Sequence, residues 1–262
     1  MIELDNYLNA FSFTVDVDWA PDFMIDEMAL VFTEHKVKCT WFVTHSSPAI
    51  DRLKQNALFE LGIHPNFLSG SSHGATEDEV MEYCMRLLPE AKVVRTHALY
   101  QNSSLLWSMS NRFGIEVDCS LFLPNTPNII PHTICHSAAE KPLVRVPFYW
   151  EDDVECLRPD RSWNVRCDLW SLPGIKTFNF HPFYVGINET DFKRYTLVKT
   201  DLCKTKKLYE LTREELELYM SLDKGVGTFL RDLLREIYNQ KSQTNWPTEI
   251  AAEFLRESRL GN

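Results

Sequence analysis

The residues able to do chemistry in this chain fall at the ends of short apolar runs. Asp16 and Asp18 close Phe11-Ser12-Phe13-Thr14-Val15-Asp16-Val17-Asp18, His64 ends Leu61-Gly62-Ile63-His64, and Arg95 and His97 follow Val93-Val94. Further on, Trp150 ends a run and is followed by Asp152 and Asp153, and His181 ends Phe178-Asn179-Phe180-His181. Neutral imidazoles with one carboxylate form the ligand set of a catalytic zinc, which keeps one position open for water. Such an ion brings the pKa of its water to about 7 and polarises a carbonyl. A second carboxylate can take the water's proton, and a histidine opposite can deliver one to the leaving group. Asp16, Asp18, two histidines and His181 therefore supply the parts of a metal-assisted amide or ester hydrolase. The alternative for the aspartates is structural, because Asp is a preferred helix N-cap. Spacing alone does not choose between the two. His73, in the loop Gly70-Ser71-Ser72-His73-Gly74, is either a ligand or a solvated loop residue.

For these groups to converge, they must sit at the same ends of neighbouring strands. Segments 11–16, 38–44, 58–64, 93–95, 115–117, 143–150 and 176–180 read as strands. Helical patterns lie between them. Met24, Met28, Val31, Phe32 and His35 recur at helical spacing after Pro21, and 48–56 reads as a polar helix. Thr76 with Glu79 has the form of a capping box, opening a helix with Val80, Tyr83, Cys84, Leu87 and Leu88 on one face. A helix over 103–113 is closed by Gly114. Such alternation argues for an α/β protein of βα units around a parallel sheet. Repeated right-handed crossovers close naturally into a barrel, whose catalytic groups come from the C-terminal strand ends. No G-x-G-x-x-G follows the first strand, which argues against an open nucleotide-binding sheet. Period-two geometry is expected to point Asp16 and Asp18 to the same side. Helices over 214–222, 228–239 and 247–258 are expected on the outside or bottom of the barrel, within one domain over 1–262.

Composition narrows the partners. The chain has 262 residues, 44% hydrophobic and 24% charged, which are globular proportions. Lys and Arg number 27 against 37 Asp and Glu, giving −10, a balance that repels phosphate backbones and anionic lipid. No nucleic-acid partner is expected. No run approaches the roughly 20 apolar residues of a spanning helix, so no membrane span is expected either. Met1-Ile2-Glu3-Leu4-Asp5-Asn6 lacks the basic head and apolar stretch of a signal peptide. Seven scattered cysteines without a C-x-x-C pair read as reduced thiols, and a cytoplasmic location is expected.

In their order along the chain, over about residues 10 to 240, these motifs resemble the polysaccharide deacetylases of carbohydrate esterase family four, the NodB-homology group. That family's first motif is T-F-D-D or a D-x-D variant. Thr14-Val15-Asp16-Val17-Asp18 resembles it, which implies Asp16 as general base and Asp18 as metal ligand. In the second motif, H-x-x-x-H, His64 matches the first position, while Leu68 stands at the second. The implied third ligand is His73, which precedes a helix as the family's second histidine does, with His97 as its rival. Arg95 matches the arginine that orients the base, although Arg95-Thr96-His97-Ala98-Leu99-Tyr100 replaces the usual R-x-P-Y. Trp150-Glu151-Asp152-Asp153 resembles the motif lining the acetyl pocket, and Trp150 and Trp19 are the candidate sugar-binding rings. Phe178-Asn179-Phe180-His181-Pro182 matches the strand that ends in the catalytic acid, His181.

The resemblance implies a distorted (β/α)7 TIM-like barrel with extra C-terminal helices. It implies removal of an N-acetyl or other acyl group from an amino-sugar or oligosaccharide substrate. It also implies one divalent metal ion, zinc first, with cobalt, nickel or manganese as alternatives. In detail the chain is similar to the divergent, cytoplasmic, WbmS-like members encoded with O-antigen and surface-glycan genes, whose substrates are precursor sugars. Two other readings use the same residues: hydrolysis of a different amide or ureido bond, and a degenerate barrel that binds glycans without turning them over.

Overall fold

The computed structural model describes residues 9–135 and 141–260; the N-terminal residues 1–6, read above for targeting, lie outside them. In chain order the first half runs β1 (Phe11–Asp16), α1 (Asp22–Glu34), β2 (Cys39–Val43), α2 (Pro48–Leu53), β3 (Phe59–Ile63), α3 (Glu77–Leu87), β4 (Val93–Val94), α4 (Ser103–Asn111) and β5 (Val117–Asp118). The second half has β6 (His132–Ile134), β7 (Leu143–Arg145), β8 (Trp150–Glu151), α5 (Asp152–Leu157), β9 (Lys176–Phe180), α6 (Pro182–Gly186) and α7 (Lys193–Asp201). It ends with α8 (Arg213–Leu216), α9 (Val226–Gln240) and α10 (Pro247–Leu260).

The strands are ordered β6-β7-β5-β4-β3-β2-β1-β9-β8, and every neighbouring pair is parallel except β6 with β7. β7 and β8 are two halves of one extended segment. Val144 pairs with Val117 of β5, while Trp150 pairs with Phe178 of β9. That segment therefore bridges the two sides of the sheet and curls it into a distorted barrel of the expected α/β class. The sequence reading of 143–150 as a single strand is corrected at Pro147, which has no N–H to give a ladder.

Alternation along the strands sorts the side chains. Outward residues such as Phe13 and Trp41 pack edge-on against Phe32 of α1. Inward, Phe42, Val93, Val117, Val144, Val146 and Ile175 form one apolar cluster with Ile250 and Ala251 of α10, beside the polar Ser12, Thr40 and Glu60. Gly62 leaves room for it, since a Cβ there would lie 2.7 Å from the Val93 carbonyl oxygen. α10 is anchored to the N-terminal strand ends. Asn245 N donates to Phe11 O at 3.0 Å and Trp246 Nε1 to Leu58 O at 3.1 Å. The last helix thus caps the bottom of the barrel, as expected, and the strand C-termini are left for the site. Among the described residues no helix is long and apolar enough to cross a membrane.

The helix signals are met where they rest on capping. Thr76 Oγ1 accepts from Glu79 N at 3.2 Å while Glu79 Oε2 accepts from Thr76 N at 3.1 Å. The helix expected over 103–113 ends at Asn111 with Arg112 as its cap, and Gly114 turns the chain two residues later with φ of 68°. The polar helix expected over 48–56 ends at Leu53, and 214–222 divides into α8 and a 3-10 turn over Glu217–Tyr219.

Candidate active site

β1 stops at Asp16, and Asp18 and Trp19 then take left-handed conformations, with φ of 43° and 55°. Asp18 does not continue the strand, so simple period-two alternation is not what aims it. The turn does so instead, pinned by Trp19 N donating to Thr44 Oγ1 at 3.2 Å. His64 follows β3 and its Nδ1 lies 2.8 Å from the Arg95 carbonyl oxygen. With that nitrogen donating, Nε2 presents its lone pair to the site. His97 opens a short 3-10 turn two residues after Arg95.

These three side chains meet. Asp18 Oδ1 is 3.1 Å from His64 Nε2 and 3.1 Å from His97 Nδ1, and the two nitrogens are 3.3 Å apart. Ligand atoms in a tetrahedral zinc site with bonds of about 2.0–2.1 Å stand roughly 3.3 Å from one another. One carboxylate oxygen and two imidazole nitrogens at these separations therefore fit a divalent ion. Burial would raise the Asp18 carboxyl, but the hydrogen bonds and charges of His64 and His97 hold it well below the ordinary range.

Asp16 occupies a different environment. Its side chain is 4% exposed, against 25% for Asp18. Arg95, fully buried, donates Nη1 to Asp16 Oδ1 at 3.3 Å, to Thr14 Oγ1 at 2.8 Å and to Asn179 Oδ1. Arg95 Nε donates to the Cys119 carbonyl at 3.0 Å, and its guanidinium lies over the Phe42 and Phe148 rings. Asn179 Nδ2 donates to Asp16 Oδ2 at 2.9 Å and to Glu151 Oε1 at 3.0 Å. Burial, with Asp153 and Asp16 nearby, pushes the Glu151 carboxyl well up.

His181 sits after β9 with Nε2 3.9 Å from Asp16 Oδ2 and 3.8 Å from Asp18 Oδ2. Asp152 fixes it twice, accepting from the backbone N at 2.8 Å and from Nδ1 at 2.6 Å. Burial would lower the His181 imidazole, yet the Asp152 charge and hydrogen bond raise it well above its usual value. Asp152 itself is pushed up to about 6 by burial, against the opposing pull of His181. Asn179 is the residue that sequence reasoning missed, and Asp152 was named there at a strand end without its role of holding His181. The signal for Asn179 was an amide between Phe178 and Phe180, at a position that alternation turns inward. For Asp152 there was only a run of three acids.

His73 is not in the donor cluster. Its Nε2 lies 2.8 Å from the Thr44 carbonyl and its Nδ1 accepts from Asn66 N at 3.1 Å, so both ring nitrogens are committed. Burial lowers it to about 4, and it stacks on Tyr83 at 4.6 Å. His97 stands where the sequence reading preferred His73. Trp150 likewise lies away from the donors, packed among Phe178, Phe180 and Phe229. Trp19 touches His97 edge-on at 5.6 Å and, with Asp18, His97 and His181, lines a cavity of about 1140 Å³.

A barrel with a carboxylate–imidazole cluster at its C-terminal mouth belongs to a recognisable class. Residues 13–199 match the model of the WbmS-like polysaccharide deacetylases, and the chain belongs to that family. It is similar to the crystal structure of WbmS from Bordetella bronchiseptica, assigned as a polysaccharide deacetylase involved in O-antigen biosynthesis. The two are 31% identical over 88% of this chain and 91% of that one, with a TM-score of 0.74. Two more distant similarities carry no argument here. The Bc1960 peptidoglycan N-acetylglucosamine deacetylase is 12% identical over 92% of this chain and 87% of that one, with a TM-score of 0.48. The peptidoglycan deacetylase PdaC from Bacillus subtilis is 10% identical over 98% and 96%, with a TM-score of 0.47. No curated protein matches the chain.

Proposed function

We propose that the protein is a metal-dependent deacetylase that removes an N-acetyl or other acyl group from an amino sugar during O-antigen-type surface-glycan biosynthesis. The observation that carries this reading is the triangle of Asp18 Oδ1, His64 Nε2 and His97 Nδ1 beside Asp16 and His181. A divalent ion held by that triangle would polarise the acyl carbonyl and acidify water to a pKa of about 7. Asp16 takes the proton of the attacking water. Arg95 and Asn179 hold its two oxygens so that the carboxylate cannot rotate away. His181, kept protonated by Asp152, gives its Nε2 proton to the departing amine, and Asp152 fixes which nitrogen faces the substrate. Trp19 forms a wall against which the sugar ring rests.

Metal analysis and acetate release from N-acetylglucosamine oligosaccharides, with and without chelator, test the proposal. One equivalent of divalent metal and chelator-sensitive release are expected. Asp18→Ala loses both. His97→Ala weakens metal binding about 10–100-fold, as expected on loss of a ligand or its support, whereas His73→Ala keeps the metal. Full occupancy in Asp18→Ala overturns the site, and a loss confined to His73→Ala returns the third ligand to His73.

A further inference from the structure

The cavity is larger than one acylated monosaccharide requires, since about 300–1,000 Å³ accommodates most small ligands and this one measures about 1140 Å³. Its far lining differs in charge from the rest of the chain. Segment 199–207 carries Lys199, Lys204, Lys206 and Lys207, four lysines in nine residues of a protein whose net charge is −10. Three of these, Lys199, Lys206 and Lys207, line the cavity, against the carboxylates Asp18 and Asp22. Lys206 is paired with Glu215. Among the described residues Lys199 and Lys207 have no carboxylate partner, and their ammoniums lie over the Tyr195 and Tyr209 rings at 5.8 and 5.7 Å.

A second feature lies on the same wall. His45 stacks on Tyr209 at 5.8 Å and 24°, and its Nε2 is buried without a hydrogen-bond partner. Its Nδ1 is 3.0 Å from Thr44 Oγ1, which already accepts from Trp19 N. The Thr44 hydroxyl proton can therefore go to Nδ1, which leaves the ring proton on Nε2 as an unused donor. A buried donor without a partner is costly, and on a cavity that also carries two exposed ammoniums without a carboxylate partner, that of Lys207 hydrogen-bonded to Tyr209, it adds to a set of donors that an anion would complete. Lysine binds phosphate as a point charge. Two such charges match the two negative charges of a diphosphate diester.

We propose that this wall binds the diphosphate of a diphosphate-linked amino sugar, so that the substrate is an activated precursor rather than a finished glycan. This rests on the deacetylase reading but is measured separately from it. Calorimetric titration of the purified protein with inorganic pyrophosphate is expected to show binding that falls at least 10-fold in the Lys199→Gln/Lys207→Gln double variant. Lys193→Gln, altered outside the cavity, leaves it unchanged. In acetate release, the double variant raises KM for UDP-N-acetylglucosamine at least 10-fold and leaves KM for free N-acetylglucosamine unchanged. A polyprenyl-diphosphate-linked N-acetylglucosamine in detergent, run beside the uridine compound, shows which carrier is preferred. Equal pyrophosphate affinity in wild type and double variant overturns the proposal, as does tighter binding of a carboxylated glycan such as oligogalacturonate. Intact pyrophosphate binding with no acetate release from any substrate would instead remove the hydrolase reading and leave this one standing.

Discussion

The two ends of the barrel interior are built from the same strands and could hardly differ more. At β4, Val93 and Arg95, the latter just past the strand's end, face inward two residues apart, one in the apolar cluster over α10 and the other bonded to Asp16. On the last strand the inward series runs Ile175, Thr177, Asn179, from hydrocarbon to amide within five residues. Phe42 marks the frontier: it packs with Ile250 below and carries the Arg95 guanidinium, 4.9 Å away, above. The lower half gains stability by removing apolar area from water, at about 25 cal/mol per Å². The upper half has little of this and relies on hydrogen bonding and ion pairing of its buried charges, Arg95 through Nη1 and Nε and Asp16 through both oxygens. The lesson is a division of labour. One end holds the barrel together so that the other can hold a carboxylate, a guanidinium and an imidazolium in fixed positions.

That division can be broken most sharply at the top. His181→Ala is expected to lower kcat about 100- to 10,000-fold, the usual worth of a general acid, while metal content and melting temperature stay near wild type. Normal turnover by this variant would assign the proton to another group. The bottom offers the mirror experiment. Ile250→Ala opens a cavity under Phe42 and should cost about 2–5 kcal/mol in denaturant unfolding, with kcat unchanged at a temperature where the variant is folded. A large kcat loss there would mean that the two ends are not separable.

The smallest effect comes from a half-buried acid at the lower end, Glu60. Glu60 accepts from Thr40 Oγ1 at 2.8 Å and from Thr248 Oγ1, yet burial pushes its carboxyl up. An acid whose folded pKa is raised binds more protons in the native state. Stability then falls as pH rises from the ordinary carboxylate range through the raised value. Glu60→Gln removes that loss. It is expected to stabilise the fold by up to about 1 kcal/mol at pH 8 and to change nothing at pH 3, by chemical unfolding at the two pH values.

Much of this was legible in the order of residues. Segments 11–16 and 176–180 coincide with β1 and β9 because both alternate aromatic or β-branched side chains with polar ones, Phe11-Ser12-Phe13-Thr14-Val15-Asp16 and Lys176-Thr177-Phe178-Asn179-Phe180. The strand-end positions of Asp16, Asp18, His64, Arg95 and His181 follow once the strands are placed. His73 and His97 were harder to separate. A position just before a helix says nothing of distance, and the Thr44 carbonyl that occupies His73 lies 29 residues away in the chain. Trp150 opens β8 rather than ending a strand, and its ring faces the helix layer and not the mouth. Asn179 was hidden between two phenylalanines. α7 escaped because its sequence, Lys193–Asp201, has few apolar residues and only Val198 buried. Tertiary docking, not periodicity, makes such a helix.

The turn after β1 carries a longer-term consequence. Neither Asp18 nor Trp19 is a glycine, yet both hold left-handed backbone, at a cost of order 1 kcal/mol or more each for residues with a Cβ. Replacement by glycine at either position would ease the chain and remove a ligand or a cavity wall. Selection for thermal robustness alone would therefore draw positions 18 and 19 towards glycine. With Asp18 a metal ligand and Trp19 a sugar wall, as proposed, demand for turnover is the counter-pressure that would keep an aspartate and a tryptophan there. In a lineage that stopped needing the reaction, these two residues would be among the first to change, and the barrel would become more stable as it fell silent.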